Sequence, residues 1–523
     1  MSKFISKTVE IVFYILLALI ILAFAVSVGD MISAGIIGDL ATVALIFMSA
    51  LFVYFGKNIL GFLQAKVLKP VAKLSVKQMF FILGGVILVT KFFFLFLLDV
   101  DSTLHYDMSM YHSFANQIAS TGEIVENATY AIKHTYTAVY GLILSPFAKL
   151  FGSDPKVLTG VLTVSTTIVS LLLFDIIRKP VGKNIAFCGI LLYNLLPMGL
   201  FQTQLLVHET ALLFFHILAL WLLLKSFEPN RHFVVKILLI VLASVSIAVG
   251  KRVNAAGSVV LIALCIISFL KIIGSKITFK KLVQFVCFLL VFLVIFSMVS
   301  SLLTTVVKGM IVNSEQESNE LKAKRVRYGW SIYLGLNYEY SGLINKEDAD
   351  TYHAYLGIED PEEAKAYQID LIQGRIDEYL QSPIKIPLHI FNKIKVLWGS
   401  LWLPFPYAQG NAVESFILNG CGGIIYKGLY MANALVYLFV LSMILVAIRK
   451  KNSETDSDLT GTHCKMIIVG LTAALICFEV CPKYASHTQI LFYTIWMLQL
   501  KRFAANSGAI REKIRTKLLK KNP

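Results

Sequence analysis

Long apolar runs recur along the whole chain, and they limit what it can fold into more than any other feature of the sequence. A helix needs about 20 mostly apolar residues to cross a bilayer. Twelve runs approach or reach that length, at residues 8–28, 40–62, 79–98, 157–177, 184–201, 205–224, 236–250, 254–270, 282–303, 426–448, 466–482 and 484–500. Only 15% of the 523 residues are charged, whereas a soluble domain has roughly 25%. The sequence therefore predicts an all-α polytopic membrane protein with twelve transmembrane helices.

Basic residues concentrate in the short loops on one side of these predicted spans. They lie between the second and third spans, after the fourth, eighth and tenth spans, and in the C-terminal tail: Lys57, Lys66, Lys69, Lys73, Lys77, Arg178, Lys179, Lys183, Lys271, Lys276, Lys280, Lys281, Arg449, Lys450, Lys451, Lys517, Lys520 and Lys521. Cytoplasmic loops of membrane proteins carry an excess of Lys and Arg. We therefore expect a multi-pass protein of the cell membrane with both termini in the cytoplasm.

Two long segments, 99–156 and 304–425, face outward in this topology, and most of their charge is acidic. Five acids stand against one base within 99–135, and fourteen acids against nine bases within 304–390. These stretches together carry a net charge of −9. Because the whole chain has a formal net charge of +16, the rest of the chain carries +25. Since the basic excess lies mainly in cytoplasmic loops, no nucleic acid partner is needed to explain it, and membrane lipids are the expected surroundings.

The outward segments also contain three stretches with helical character. The apolar stretches 136–151 and 391–407 are short or interrupted by proline, so we expect them to be re-entrant or to lie at the membrane interface. Residues 361–382 begin with a proline and two glutamates, which favours the start of an amphipathic helix.

The chain divides into four parts on these patterns. They are two N-terminal spans with a basic loop (1–78), a transmembrane module that includes the first outward loop (79–303), an extracytoplasmic segment (304–425), and C-terminal spans with a basic tail (426–523).

The first outward loop holds the main candidate for chemistry. Asp107, Tyr111 and Ala115 recur every four residues, which places them on one face of a helix. Asp107 stands at or near the start of that helix. Asp101 is close enough in sequence to share the same site, although a solvated loop charge is an equally good interpretation for it.

Short motifs in this loop and beyond it resemble those of GT-C glycosyltransferases. They are Asp107-x-x-x-Tyr111-x-x-x-Ala115, Tyr130 to Gly152 with Tyr140-Gly141, Pro197 to Glu209, Gly335-Leu336-Asn337 with Ser341-Gly342 and Asn345 to Asp348, and Glu479 with Lys483-Tyr484. The branch that resembles the chain most contains protein O-mannosyltransferases, aminoarabinose transferases and Gram-positive bacterial relatives. The chain departs from it at Thr135-Tyr136-Thr137, where the family usually has Tyr-Pro, at Met108 in place of Glu, and at Lys483 in place of Arg.

The resemblance implies a GT-C-like arrangement and an inverting transfer of a sugar. The donor would be a polyprenyl-phosphate-linked sugar, and the acceptor a hydroxyl of a wall polysaccharide, teichoic acid, lipid or protein at the outer membrane face. A carboxylate must take the proton of the attacking hydroxyl, and Asp107 is the candidate base, with Asp101 second. Neither a cofactor nor a metal is expected.

Three basic residues break the cytoplasmic pattern, because Lys251, Arg252 and Lys483 fall on the outward side. A charge close to hydrocarbon is costly and usually has a partner or a role. We therefore predict that these three residues bind the donor phosphate, with snorkelling to lipid headgroups as the alternative.

Further polar residues complete the predicted substrate site. His208 and Glu209 begin the sixth span on the outward side, where they could bind sugar, orient Lys251 or simply cap the helix. His134, Tyr111 and Tyr484 are further candidates for substrate binding.

Two other functions fit a polytopic protein with large outer loops. A transporter or flippase for lipid-linked saccharides usually shows symmetric halves with discontinuous helices, and no internal repeat is evident in this sequence. A polysaccharide polymerase is the third possibility. The Asp107, Tyr111 and Ala115 spacing favours the transferase.

Overall fold

A computed structural model of the chain describes residues 2–32, 36–98, 106–274, 277–312, 328–399, 424–447, 459–486 and 488–521, with isolated residues between 319 and 326. The first helices are α1 (Ser2–Ile32), α2 (Ile36–Leu63), α3 (Val76–Leu97), α4 (Tyr106–Thr121), α5 (Ala128–Lys133), α6 (Thr135–Phe151), α7 (Pro155–Val181), α8 (Lys183–Leu195), α9 (Pro197–Phe201), α10 (His208–Ser226), α11 (Phe233–Val253), α12 (Gly257–Ile273) and α13 (Phe279–Met310). The later helices are α14 (Gly329–Gly335), α15 (Lys346–Gly357), α16 (Pro361–Gln381), α17 (Lys385–Trp398), α18 (Ile424–Val446), α19 (Leu459–Cys477), α20 (Lys483–Ser486) and α21 (Gln489–Lys521).

The described part of the chain contains nine helices that are long and apolar enough to cross a membrane, or ten if α8 and α9 form one span bent by 69°. α12 and the apolar start of α21, Gln489–Leu500, are shorter. The all-helical, multi-pass architecture predicted from the sequence is confirmed. The count of twelve spans stays a prediction.

The predicted span 466–482 has different bounds in the structure. The run 466–482 was expected to be membrane-spanning throughout, but α19 begins at Leu459 and ends at Cys477. Residues 478–482 are not helical, in keeping with a proline at 482, which cannot continue the preceding helix. This non-helical stretch carries Glu479 and leads directly to Lys483.

The first outward loop forms two helices in close contact. A Cβ atom on Gly141 of α6 would lie 2.7 Å from the Cβ of Phe114 and 3.1 Å from the backbone nitrogen of Ala115 on α4. The absence of a side chain at Gly141 therefore lets the two backbones approach. A pair of backbone hydrogen bonds joins this loop to the C-terminal end of α13: the Ile124 N–H donates to the Met310 carbonyl at 2.8 Å, and the Ile124 carbonyl accepts from the Val312 N–H at 3.1 Å.

The expected helices of the outward segments are present within the described residues. The stretch 136–151 lies in α6, which buries one face against α4. The stretch 361–382 forms α16, whose first turn is capped by the Asp360 side chain accepting from the Glu362 backbone at 3.0 Å. The stretch 391–407 begins in α17, and its part after 399 lies outside the described residues.

The N-terminal helix α1 is part of the packed core. It contacts α2, α17, α18 and α19, with the rings of Phe24 and Tyr437 5.0 Å apart. Asp30 near its C-terminal end pairs with Lys395 of α17 at 2.8 Å. The first N-terminal span, which lies outside the family resemblance, thus packs against α17.

Candidate active site

Asp107 lies in the first turn of α4, as the four-residue spacing predicted, and both of its carboxylate oxygens are engaged. The Tyr130 hydroxyl donates to Oδ1 at 2.6 Å. The Lys483 ammonium donates to Oδ2 at 2.5 Å. The pair is largely shielded from solvent, with side-chain exposures of 22% for Asp107 and 6% for Lys483. The structure therefore joins two motifs that are 376 residues apart in the sequence.

Aromatic side chains surround His208 next to this ion pair. The Tyr111 hydroxyl lies 2.7 Å from Nδ1 of His208. The Tyr136 ring stacks on the imidazole at a centroid distance of 5.1 Å. The Tyr140 ring packs beside the rings of Tyr111 and His208. His134 lies between Tyr130 and Tyr136, with ring centroids 4.5 and 5.7 Å away. These rings form an apolar wall with polar tips, a surface of the kind that can pack against a sugar ring.

Two further carboxylates lie close to Lys483. Glu209, at the start of α10, is 1% exposed, and neither of its carboxylate oxygens has a hydrogen-bond partner among the described residues. Its Oε2 lies 3.3 Å from Nδ1 of His208, an ion pair only if the imidazole is protonated. Glu479 accepts a hydrogen bond from the Tyr484 hydroxyl at 3.3 Å. Unpaired buried oxygens are costly, so Glu209 is a group that a bound proton or ligand hydroxyl would satisfy.

The charges of this cluster shift one another's pKa values. Burial alone would raise the pKa of Asp107, but the Lys483 ammonium and the Tyr130 hydroxyl hold it well below its usual range. Burial would lower the pKa of Lys483, yet the carboxylates of Glu209 and Asp107 raise it. The pKa of Glu479 is raised, chiefly by burial and against the attraction of Lys483. Asp107 and Lys483 therefore stabilise each other's charged forms.

Lys251 and Arg252 lie in a separate groove. It has a volume of about 480 Å³ between α11 and α13. Its lining is cationic and rich in hydroxyls: Lys251, Arg252, Lys308, Phe296, Ser297, Ser300, Ser301, Thr304 and Thr305. Arg252 Nε donates to the Ser300 hydroxyl at 2.7 Å. Cations and hydroxyls so arranged are suited to phosphate oxygens.

Among the described residues, the lining of the groove does not include Lys483. The three outward cations predicted as one phosphate site are therefore divided, with Lys483 on Asp107 and the other two in the groove.

Most of the predicted site residues come together in one cluster. They are Asp107, Tyr111, His134, His208, Glu209, Lys483 and Tyr484. Asp101 lies outside the described residues. Within those residues, no group of three or more His, Cys, Asp or Glu side chains could hold a metal ion.

Sequence reasoning did not assign three residues of the cluster: Tyr130, Tyr136 and Glu479. Each stands within a motif or departure that the resemblance singled out, so a signal was present. Their contacts with Asp107, His208 and Tyr484 could not be read from spacing alone.

One known family matches part of the chain. Residues 135–305 match the family described as dolichyl-phosphate-mannose-protein mannosyltransferase, a stretch that runs from α6 through most of α13. No curated protein sequence matches the chain.

Two solved structures are similar in fold at low scores. One is ArnT from Cupriavidus metallidurans bound to undecaprenyl phosphate, with a TM-score of 0.35 and 11% identity over 82% of this chain and 78% of that chain. The other is the Archaeoglobus fulgidus oligosaccharyltransferase in complex with Zn and sulfate, with a TM-score of 0.33 and 13% identity over 79% of this chain and 53% of that chain.

Proposed function

We propose that the chain is a GT-C-type membrane glycosyltransferase, which moves a sugar from a polyprenyl-phosphate donor to a hydroxyl of a cell-envelope acceptor at the outer membrane face; the match of residues 135–305 to a mannosyltransferase family supports this class. The acceptor class is a wall polysaccharide, teichoic acid, lipid or protein. The observation that carries this proposal is the Asp107–Lys483 pair, which places a carboxylate and a cation together as sugar transfer from a phosphate requires. The description of the matched family, which names a dolichyl-phosphate sugar as donor, supports the donor class.

Asp107 is the proposed general base. The acceptor hydroxyl oxygen attacks the anomeric carbon, the bond from that carbon to the phosphate oxygen breaks, and the hydroxyl proton passes to the Asp107 carboxylate. In the unliganded site Asp107 is a weak base, because Lys483 and Tyr130 both stabilise its anion. A donor phosphate that attracts the Lys483 ammonium weakens this hold and raises the proton affinity of Asp107. Lys483 then offsets charge on the leaving phosphate.

The groove lined by Lys251 and Arg252 is the proposed entry site for the lipid phosphate. α13 is largely exposed, with Phe288, Phe292, Ser300 and Val307 as its buried residues, so its hydroxyl-bearing outer part is accessible from the lipid side. Two cations against a phosphate provide affinity, and Arg252 adds directional hydrogen bonds.

Sugar transfer in reconstituted vesicles tests both assignments. The donors are radiolabelled polyprenyl-phosphate mannose, glucose and N-acetylglucosamine, offered with an envelope extract as acceptor. Loss of a positioned general base costs typically 10²–10⁴-fold in rate, and we expect a fall in that range for Asp107→Asn. Loss of a charge-assisted contact costs about 1.5–3 kcal/mol, so Arg252→Ala should weaken donor binding by roughly 10- to 100-fold.

Lys365→Ala is the matched control, because Lys365 is an outward lysine on α16 that pairs with an exposed glutamate. Full activity in Asp107→Asn would remove Asp107 as the base. An unchanged donor titration in both Arg252→Ala and Lys251→Ala would refute the phosphate site. Movement of the lipid-linked sugar across the vesicle membrane without transfer would instead identify a transporter.

A further inference from the structure

A buried lysine outside the Asp107 cluster binds three backbone carbonyl groups. Lys393 of α17 is 2% exposed. Its ammonium donates to the carbonyl oxygens of Gly335, Ile476 and Phe478 at 2.7, 2.8 and 2.7 Å. All three N–H donors of the ammonium thus bind backbone carbonyl oxygens, and none of these three hydrogen bonds goes to a carboxylate. Such a lysine holds segments of chain together.

The three carbonyls belong to two segments of chain that contact each other, the second outward segment and the end of α19; we call this contact the junction. Ile476 and Phe478 lie at the C-terminal end of α19, where unpaired carbonyls and the helix dipole favour a cation. Gly335 ends α14. A Cβ on Gly335 would lie 2.5 Å from the backbone carbon of Phe478. The two backbones are therefore in direct contact at the point where Lys393 binds both.

Backbone hydrogen bonds extend the same junction toward the active site. Glu479 N–H donates to the Ser331 carbonyl at 3.0 Å, and Val480 N–H donates to the Gly342 carbonyl at 3.0 Å. Gly342 has φ +79°, and a Cβ there would lie 2.6 Å from Cε of Lys393. Both the left-handed conformation and the close approach require glycine.

The outward side of the junction is itself rigidly held. Asp348 is fully buried and accepts from the side-chain amides of Asn337 and Asn345 at 2.9 and 2.7 Å and from Arg375 at 3.3 Å. These contacts fix the loop that carries Gly342. Two motifs that the sequence resemblance named separately, around residues 335–348 and 479–484, therefore meet at Lys393.

We propose that Lys393 is a positioning residue for sugar transfer: by tying Gly335 to the end of α19 it fixes the non-helical residues 478–482, and so places Glu479 and Lys483 against Asp107. This inference rests on the proposed function for its catalytic consequence. Its structural content, the restraint of residues 478–482, is independent of the reaction.

A substitution series at Lys393 tests the catalytic consequence. Lys393→Met keeps the length of the side chain and removes its donors, whereas Lys393→Arg restores charge and donors. Misplacing catalytic groups by about 1 Å can cost 10²-fold, so we expect kcat to fall by roughly 10- to 100-fold in Lys393→Met. The KM for the polyprenyl-phosphate donor should stay within about twofold, because the groove around Lys251 and Arg252 is built by other helices. Lys393→Arg should recover most of kcat.

Lys395→Met is the matched control. Lys395 is two residues away on the same helix and pairs with Asp30 on α1, whose side chain is 60% exposed. Because exposed ion pairs contribute little to stability, loss of Lys395 should leave kcat unchanged.

Alkylation of Cys481 measures the restraint without any substrate. Cys481 lies within residues 478–482, is partly buried, and has its pKa raised to about 11 chiefly by burial. In a full-length protein whose other cysteines are replaced by alanine, a water-soluble maleimide should modify Cys481 roughly tenfold faster when Lys393 is Met, since local opening governs such access. Lys393→Gln provides the same reading if the Met variant fails to fold.

Unchanged alkylation of Cys481 in the Met or Gln variant would overturn the proposal, as would an unchanged kcat in an active enzyme. A fall in kcat that Lys393→Arg does not recover would also count against it. Faster alkylation in a protein that transfers no sugar would support the restraint and refute the proposed function alone.

Discussion

Replacing Lys483 with methionine leaves the Asp107 carboxylate without the ammonium that lies 2.5 Å from its Oδ2. Replacing Asp107 with asparagine leaves the ammonium beside a neutral amide. Each variant should lower the free energy of unfolding, because a largely buried charge loses its partner. The double variant, Asp107→Asn with Lys483→Met, removes both charges and should be less destabilised than the sum of the two single variants.

The size of the effect follows from the geometry. Two unit charges 2.5 Å apart attract by about 7 kcal/mol at an effective dielectric constant near 20. Desolvation of two buried charges offsets several kcal/mol of this attraction. Removing one partner of a buried pair typically costs about 3–5 kcal/mol, and we expect each single variant near 3 kcal/mol. The coupling energy from the double-mutant cycle should be about 2 kcal/mol.

Unfolding in mixed dodecylmaltoside and dodecyl sulfate micelles, followed by circular dichroism, provides the four free energies of the cycle. The control cycle uses Glu362 and Lys365 of α16, whose side chains are 80% and 34% exposed at a separation of 2.6 Å. Exposed helix pairs couple by about 0.3–0.5 kcal/mol. If the Asp107–Lys483 coupling is no larger than that of the control, the pair does not hold α4 to the start of α20.

The same geometry makes two other predictions. Lys483→Gln removes the positive charge that helps to hold the pKa of Asp107 below its usual range, so that pKa rises and the acid limb of the kcat/KM profile should move to higher pH. A limb that stays in place would show that Asp107 does not titrate in catalysis. Gly335→Ala should destabilise the protein by about 1–3 kcal/mol, because its Cβ would lie 2.5 Å from the Phe478 backbone, whereas Gly357→Ala, with no atom within 4 Å of its Cβ, should change little in the same micelle titration.

The helical architecture could be predicted because it depends on local patterns. Apolar runs near 20 residues long fix the membrane helices, and the four-residue recurrence of Asp107, Tyr111 and Ala115 placed them on one helix face. Tyr111 and Ala115 are both buried on that face of α4. Boundaries were less certain where tertiary contacts decide them. The end of α19 at Cys477, for example, is capped by Lys393 from a distant part of the chain.

The sequence predicted which residues belong to the site better than it predicted which of them contact each other. Asp107, His208 and Lys483 were all singled out as candidates, since each is a polar residue in an unusual position of the sequence. Their pairing depends on contacts between residues 97 to 376 positions apart, which no spacing rule contains. The roles of Tyr130 as a donor to Asp107 and of Lys393 as a backbone tie were invisible for the same reason.

The central position of α1 has a consequence for biosynthesis. Asp30 of α1 pairs with Lys395, which follows it by 365 residues, and Tyr14 contacts Gln499, which follows it by 485. At about 5–20 residues per second, the ribosome needs roughly 20–70 s between the synthesis of Asp30 and that of Lys395. α1 enters the bilayer during this interval with the face that will contact α17 and α21 still unoccupied. α1 can therefore complete its packing only after these later helices have been synthesised.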